Sequence, residues 1–458
     1  MADLLMPPPA TAAAAPVKRG FAMGRRGFLL LGLGLVWVAP MFWQPLFLLG
    51  MFAWDALVLV AWLVDLARLR RGLHLTVQRR FQGPLALWQP SAVEIVLANR
   101  GSMAYWARVA DAVPATLCQE PSEQTIVVPG AGESSVRYSV LPQRRGDVVF
   151  GSMHLRLQSA AGIAELWVEA PARAPARGYP NLQDRESQAL YLTRSRMIEQ
   201  QRRLAQQRGL GREFESLREF QEGDEWRDIC WTATARRGKL VTRHYQTERS
   251  QSVWLVVDCG RLMRARDGNL SKLDYAVNTA LAAAQLALHS GDRVGLLAYG
   301  RKVRTRLLPN HGAQQLRLLI EQLAQVQEET SEADHLRTAA LLMRMQTRRS
   351  LIIWLTDFPE TARTPDVVEA VSQLARRHLV MFAVIGQADL RSISSQPPAS
   401  QDVAGLYRFT AAAETEHRRV VTMARLREQG VLPYEVEAAH LTPTVLNSYL
   451  EIKDRDRL

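Results

Sequence analysis

Two long apolar stretches near the N-terminus constrain this chain more than any other feature. Residues 27–43 are almost wholly apolar, and residues 46–64 are apolar apart from Asp55. Each is close to the roughly 20 residues a helix needs to cross a bilayer. The intervening Pro40-Met41-Phe42-Trp43-Gln44-Pro45 interrupts helical propagation and reads as a tight turn. Trp37, Trp43, Trp54 and Trp62 suit the membrane–water interface, which accommodates both the apolar body and the polar N–H of an indole. Lys18, Arg19, Arg25 and Arg26 precede the pair, and Arg68, Arg70 and Arg71 follow it. Cationic flanks at both outer ends put both on the cytoplasmic side. The expectation is a flexible cytoplasmic tail over residues 1–26, a transmembrane helical hairpin over residues 27–65, and the rest of the chain cytoplasmic. Asp55 is an intramembrane carboxylate, which marks a functional candidate; its simpler reading is a residue turned toward the first helix or the headgroups. Arg25-Arg26-Gly27-Phe28-Leu29 looks like a twin-arginine export signal. Against that, no small-residue cleavage pattern follows, and a second apolar segment with its own basic stop comes at once.

The pattern then changes twice. Over residues 73–170, short alternating or apolar runs such as His74-Leu75-Thr76-Val77-Gln78 and Ser135-Val136-Arg137-Tyr138-Ser139-Val140 are separated by Gly and Pro. Strand-length runs punctuated by turn residues predict a β-sandwich-like domain. Residues 183–250 hold a helical linker and a distinctive polar segment. From residue 251 to 458, buried-type strands alternate with helical periodicity, which predicts a doubly wound, mostly parallel α/β sheet with a C-terminal helical tail. In such sheets ligands bind outside the carboxyl ends of the strands, where strand order reverses. If the first and fourth strands are neighbours there, Asp258 and Asp357 face one crevice.

Composition narrows the function classes. The formal net charge is +12, yet no basic stretch interleaves with aromatics at a spacing suited to base stacking, which speaks against nucleic acid. Cys118, Cys230 and Cys259 are far apart and form no CxxC pair, so neither zinc nor a disulfide framework is signalled. No nucleophile–base constellation, P-loop or dinucleotide-binding loop occurs in a credible context, and the expectation is a protein that is not an enzyme.

The segment Gly211-Arg212-Glu213-Phe214-Glu215-Ser216-Leu217-Arg218, followed by Gly223-Asp224, Arg227, Ile229, Trp231, Ala235-Arg236, Leu240, Arg243 and Glu248, resembles the signature of the bacterial family called domain of unknown function 58. The apolar hairpin, β-rich middle and α/β end also match that family's layout, and the last domain is similar to the von Willebrand factor A fold. The resemblance implies a metal site built from an Asp-x-Ser-x-Ser loop, a distant Thr and an Asp after the fourth strand. Hydroxyl and carboxylate oxygens of that kind suit Mg²⁺. Here the loop reads Asp258-Cys259-Gly260-Arg261-Leu262, so only Asp258 and Asp357 match, and Thr330, Ser331 and Thr338 compete for the distant position. The metal site is degenerate, and Arg261 is a candidate for a fixed cation beside Asp258. Asp258, Arg261 and Asp357 are the partner-binding candidates. In the signature segment, Asp224, Arg227, Arg236 and Arg243 read as a buried ion-pair network packed by Trp226, Trp231 and Tyr245; the competing reading is a partner-binding surface. The resemblance further implies a membrane-tethered adaptor at the bacterial inner membrane, working with a MoxR-type AAA+ ATPase on client complexes. The alternative is an envelope or cell-wall maintenance protein with its soluble domains outside.

Overall fold

The computed structural model describes residues 8–38, 44, 46–121, 123–181, 191, 213–221, 226, 229–246, 251–357, 364–386, 388–397 and 403–455. The chain divides into two compact units, Met1–Asn181 and Leu182–Leu458.

The first unit opens with strand β1 (Val17–Met23), which runs through Gly24 into helix α1 (Arg25–Gly34). Helix α2 (Phe47–Arg71) follows. It is the one helix among the described residues that is long and apolar enough to cross a membrane. The Trp54 indole N–H donates to the Leu30 carbonyl at 2.8 Å, and that of Trp62 to the Ala22 carbonyl at 3.2 Å, so α1 and α2 lie side by side and antiparallel. Asp55 faces the first helix: a Cβ added to Gly34 would stand 2.8 Å from its Oδ1. The tight turn expected between the two segments falls largely on residues 39–43 and 45, which, Trp43 included, lie outside the described residues.

Strand β1 departs from the flexible tail expected for residues 1–26. It pairs antiparallel with a later strand, from Val17 opposite Glu169 to Met23 opposite Ala164. Its charges hide it from hydropathy, because they face outward and find partners: Lys18 donates to the Arg70 carbonyl at 2.7 Å, and Arg19 pairs with Glu169 at 2.7 Å.

Among the described residues eleven further strands follow in the unit: β2 (Leu75–Phe81), β3 (Leu85–Ala86), β4 (Ser91–Asn99), β5 (Tyr105–Asp111), β6 (Leu117–Glu120), β7 (Glu123–Val128), β8 (Gly132–Pro142), β9 (Gly146–Phe150), β10 (Met153–Gln158), β11 (Ala164–Ala170) and β12 (Ala174–Tyr179). They form sheets ordered β1-β11-β10-β5-β7, β2-β4-β8-β6 and β3-β12-β9. Inward positions alternate with outward ones, as in β2, where Leu75, Val77, Arg79 and Phe81 are buried. Inward residues of the sheets share one core, and Leu66 and Leu69 from the last turns of α2 enter it.

In the second unit, β13 (Glu213–Glu219) and β14 (Val241–Gln246) form a ribbon that carries the short helix α3 (Trp231–Arg237) between its strands. The α/β part continues through β15 (Ser252–Asp258), the two-residue strands β16 (Arg266–Asp267) and β17 (Leu270–Ser271), α4 (Lys272–His289), β18 (Arg293–Tyr299), β19 (Val303–Asn310), α5 (Gly312–Gln325) and α6 (His335–Met345). It ends with β20 (Leu351–Thr356), α7 (Thr364–Ala375), β21 (Leu379–Ile385), α8 (Ala388–Ser395), α9 (Val403–Glu428), β22 (Leu432–Val436) and α10 (Leu441–Asp454). The six-stranded sheet is ordered β19-β18-β15-β20-β21-β22, with β19 antiparallel and the others parallel. Strands β15 and β20 are buried along almost their whole length, as strands covered on both faces must be.

At the N-terminal ends of β20 and β21, the His378 imidazole is buried against the Ser350 hydroxyl, 3.1 Å from Nδ1. Burial, helped by the neighbouring Arg377, pushes its pKa below the ordinary histidine value. The folded state therefore binds fewer protons than the unfolded state as pH falls through about 6.5. The stabilising effect is complete above that pH and is lost below it, with a slope of up to about 1.4 kcal/mol per pH unit. Urea unfolding between pH 5 and 8, on the order of the range where histidine titrates, should show this slope and lose part of it in His378→Phe.

Candidate functional site

The carboxyl ends of β15 and β20 carry the two acidic residues singled out by the sequence. The strands pair in parallel register, with Val257 opposite Leu355, which brings Asp258 and Asp357 to one cleft, lined also by Gly260, Arg261, Glu332 and His335. The cleft holds about 20 Å³, enough for a single water and far too small for a metabolite.

Neither carboxylate is free. Asp258 is 3% exposed. Its Oδ1 accepts from the Gly260 N–H at 2.7 Å and its Oδ2 from the Thr356 hydroxyl at 2.6 Å. Burial raises its pKa, opposed by the nearby His335 and by those two hydrogen bonds. A side chain at Gly260 would collide with the Ala333 backbone, 2.9 Å from an added Cβ, so the loop can pass this closely only with glycine there. His335 is itself buried, with Nδ1 2.9 Å from the Tyr299 hydroxyl, which also accepts from the Trp354 indole at 2.7 Å.

Asp357 is 1% exposed and holds a lysine. Lys272 Nζ donates to its Oδ2 at 2.6 Å and to the Ile385 carbonyl at 3.1 Å. Lys272 is the first residue of α4, where Ser271 and Asp274 form a reciprocal capping box. A cation in the first turn of a helix opposes the helix dipole, so local structure does not favour this lysine; its pairing with Asp357 does. On the other side, Arg419 of α9 approaches Asp357 Oδ1 at 3.8 Å and Glu435 at 3.3 Å.

These residues do not fit a divalent cation. A hard metal ion needs about six oxygen ligands. Gly260 and Leu262 offer no side-chain oxygen, both Asp258 oxygens accept hydrogen bonds, and Asp357 is bound to an ammonium. The candidates for the distant hydroxyl are also used elsewhere or open to solvent. Thr338 donates to the Asp334 carbonyl at 2.8 Å and Ser331 to Glu329 at 3.1 Å, while Thr330 is exposed. The fixed cation expected at this edge is present, but it is Lys272 on Asp357 and not Arg261 on Asp258. Arg261 is exposed and faces Glu332 at 3.4 Å, a surface pair worth little.

In the signature segment, the described residues expected to be buried are instead exposed. Asp224, Arg227 and the side chains of Arg243 and Tyr245 lie outside the described residues. Trp226 and Trp231 are 69% and 64% exposed, and Arg236 is exposed as well. Trp226 meets Phe220 in a tilted contact with ring centres 5.4 Å apart. What anchors the ribbon is apolar: Ile229, Cys230 and Val241 are buried, and the Cys230 N–H donates to the Val241 carbonyl at 2.8 Å.

Sequence reasoning missed Lys272, Thr356, His335 and Arg419. The capping pattern Ser271-x-x-Asp274 locates the start of α4, but nothing local links Lys272 to a carboxylate 85 residues away.

Comparison with known proteins agrees with one part of the resemblance, the likeness to the domain of unknown function 58. Residues 216–429 match the family model described as "Protein of unknown function DUF58". Uncharacterized proteins of Mycobacterium bovis and Mycobacterium tuberculosis are 28% identical over 173 residues, 37% of this chain and 54% of theirs. The chain thus spans about half the length of the curated relatives it matches. Among solved structures, the conserved hypothetical protein BatB from Bacteroides thetaiotaomicron is similar at 14% identity, over 45% of this chain and 98% of that one, with a TM-score of 0.30. Proximal thread matrix protein 1 from the mussel byssus is similar at 12% identity, over 44% and 47%, with a TM-score of 0.27.

Proposed function

We propose that this protein is a membrane-anchored adaptor. In this reading the two apolar segments form a two-pass hairpin in the bacterial inner membrane, and both units stand in the cytoplasm. The second unit, von Willebrand factor A-like in its adjacency of β15 and β20, docks a MoxR-type AAA+ ATPase that acts on client complexes. No catalytic role is proposed for any residue, and no metal is required.

The observation that carries the reading is the exposure of Trp226 and Trp231, 69% and 64%, on the same ribbon as exposed Arg236 and Arg237. Leaving a large aromatic in water forgoes roughly 1.5–3 kcal/mol, and Trp and Arg are the side chains most enriched at interface hot spots. Trp226, Trp231, Arg236 and Arg237 all lie within the family-matched residues 216–429. The Asp258–Asp357 edge supports a docking surface in a different way: its buried ion pair braces the strand ends beneath the exposed Arg261 and the half-buried Glu332.

Full-length protein in lipid nanodiscs, titrated with a purified MoxR-type ATPase with and without Mg-ATP, tests this. Binding is expected to weaken by about tenfold or more in Trp231→Ser with Arg236→Glu. Unchanged binding in that variant would remove the ribbon from the interface. A C-terminal reporter active only outside the cytoplasm would overturn the topology and favour a role in the cell envelope.

A further inference from the structure

The junction between helices and sheets in the first unit marks where a bilayer would end on the molecule. Outward apolar side chains on α2 run through Leu57, Leu59, Val60 and Leu63 to Val64, each 45–61% exposed. The next residue, Asp65, is buried and accepts from the Ser159 hydroxyl at 2.6 Å and the Ala164 N–H at 2.9 Å. On the other helix, Arg26 donates to the carbonyls of Ala160 and Ala161 at 2.8 and 3.1 Å. Phe28 and Leu29, 63% and 69% exposed, follow almost at once. The loop over residues 159–163 is therefore tied to both helices at the last polar side chain before exposed apolar surface begins. No spacer separates helix from sandwich.

The sheet that carries that loop presents tryptophans outward on β5 and β11. Gln158, just before it, pairs with Trp106, which pairs in turn with Val127. Trp106 is 51% and Val127 43% exposed. Trp167 stands opposite Arg156, whose guanidinium lies 5.6 Å over its ring. At about 3.4 Å per residue, Trp167 is about 7 Å farther from the rim than Trp106.

We propose that this rim of the sandwich, the loop over residues 159–163 with Trp106 and Val127, lies in the headgroup layer of the bilayer that takes up α2. This rests on the membrane reading above. An indole half in and half out of an apolar layer is stable there. A partner protein covering Trp106 would not require the loop's own attachment to both helices. With the rim in the headgroups, the sandwich is held against the membrane surface and its orientation is fixed.

The test uses the full chain with its exposed Cys118 replaced by Ser, in vesicles of phosphatidylcholine with phosphatidylglycerol. Single nitroxide labels are placed at positions 57, 106, 127 and 144, and their access to oxygen and to a water-soluble nickel chelate is measured. Arg144 is the aqueous reference: it is exposed and follows β8 at the end opposite Gly132, which is level with the base of α2 through Asn99 and Leu75. The expected result is lipid-like access at 57, water-like access at 144, and nickel access at 106 and 127 at least twofold below that at 144. Water-like access at 106 and 127 with lipid-like access at 57 would overturn the proposal and leave the membrane reading standing. Water-like access at 57 would overturn both.

Discussion

Arg79→Met is expected to cost the first unit about 3–5 kcal/mol, the range found when one member of a buried ion pair is removed. Both side chains of the Arg79–Asp111 pair are fully buried. The guanidinium donates to both Asp111 oxygens, to the Ala172 carbonyl at 2.7 Å and to the Gly151 carbonyl at 3.0 Å. It also lies 5.0 Å over the Phe150 ring. The Tyr138 hydroxyl donates to Asp111 as well, and burial beside that carboxylate pushes the phenol's pKa up. Arg79 is on β2, Tyr138 on β8 and Asp111 on β5, so one cluster joins two sheets that share no backbone hydrogen bonds. Methionine fills much of the volume but leaves Asp111 charged and two carbonyls without donors. Arg79→Met with Asp111→Leu removes the charge from both sides and should recover most of the loss. Urea unfolding of the full chain in nanodiscs, followed by near-UV dichroism, measures both variants. A single variant within about 1 kcal/mol of the parent would mean that water reaches the cluster and the sheets are held by apolar packing alone.

Arg79 also illustrates what the sequence could and could not reveal. Its position in Leu75-Thr76-Val77-Gln78-Arg79-Arg80-Phe81 is inward by simple alternation, so a charged core residue was legible there. Its partner was not, because Asp111 is 32 residues away and no local pattern links the two. The same division holds across the chain. The apolar segment of α2, the β-rich middle and the buried strands ending at Asp258 and Asp357 stand out because periodicity is a local signal. The adjacency of those two aspartates followed from the topology of parallel sheets. Elements whose pattern is broken by edge positions were not legible. Strand β1 carries Lys18 and Arg19, and β22 carries Pro433 and Glu435 in a region read as a helical tail. Charges and proline are tolerated at sheet edges, and β1 and β22 each lie at one. The surface position of Trp226 and Trp231 was also hidden, because a tryptophan's residue type predicts burial and only the tertiary structure reveals its exposure.

The second large effect is expected at Lys272, where the sequence pointed to acids and the structure supplies the cation. Lys272→Met should destabilise the second unit by about 3–5 kcal/mol and lower its thermal midpoint by roughly 10 °C. The lysine and Asp357 are 3% and 1% exposed, so solvent cannot take over the lost partner, and Arg419, at 3.8 Å and shared with Glu435, is too distant and too committed to replace it. Lys272→Met with Asp357→Leu should be milder than either single change, because the cost lies in the uncompensated charge and not in the absent bond. Divalent ions give the sharper discrimination. A metal that bound only the native state would raise the midpoint as its concentration exceeded its dissociation constant. With an ammonium already on Asp357 and Asp258 satisfied by Gly260 and Thr356, the parent protein should melt at the same temperature in EDTA and in millimolar Mg²⁺. A rise in Mg²⁺ that disappears in Asp357→Asn would show that the lysine yields to the metal, and the edge would then be a metal site with a displaceable internal cation.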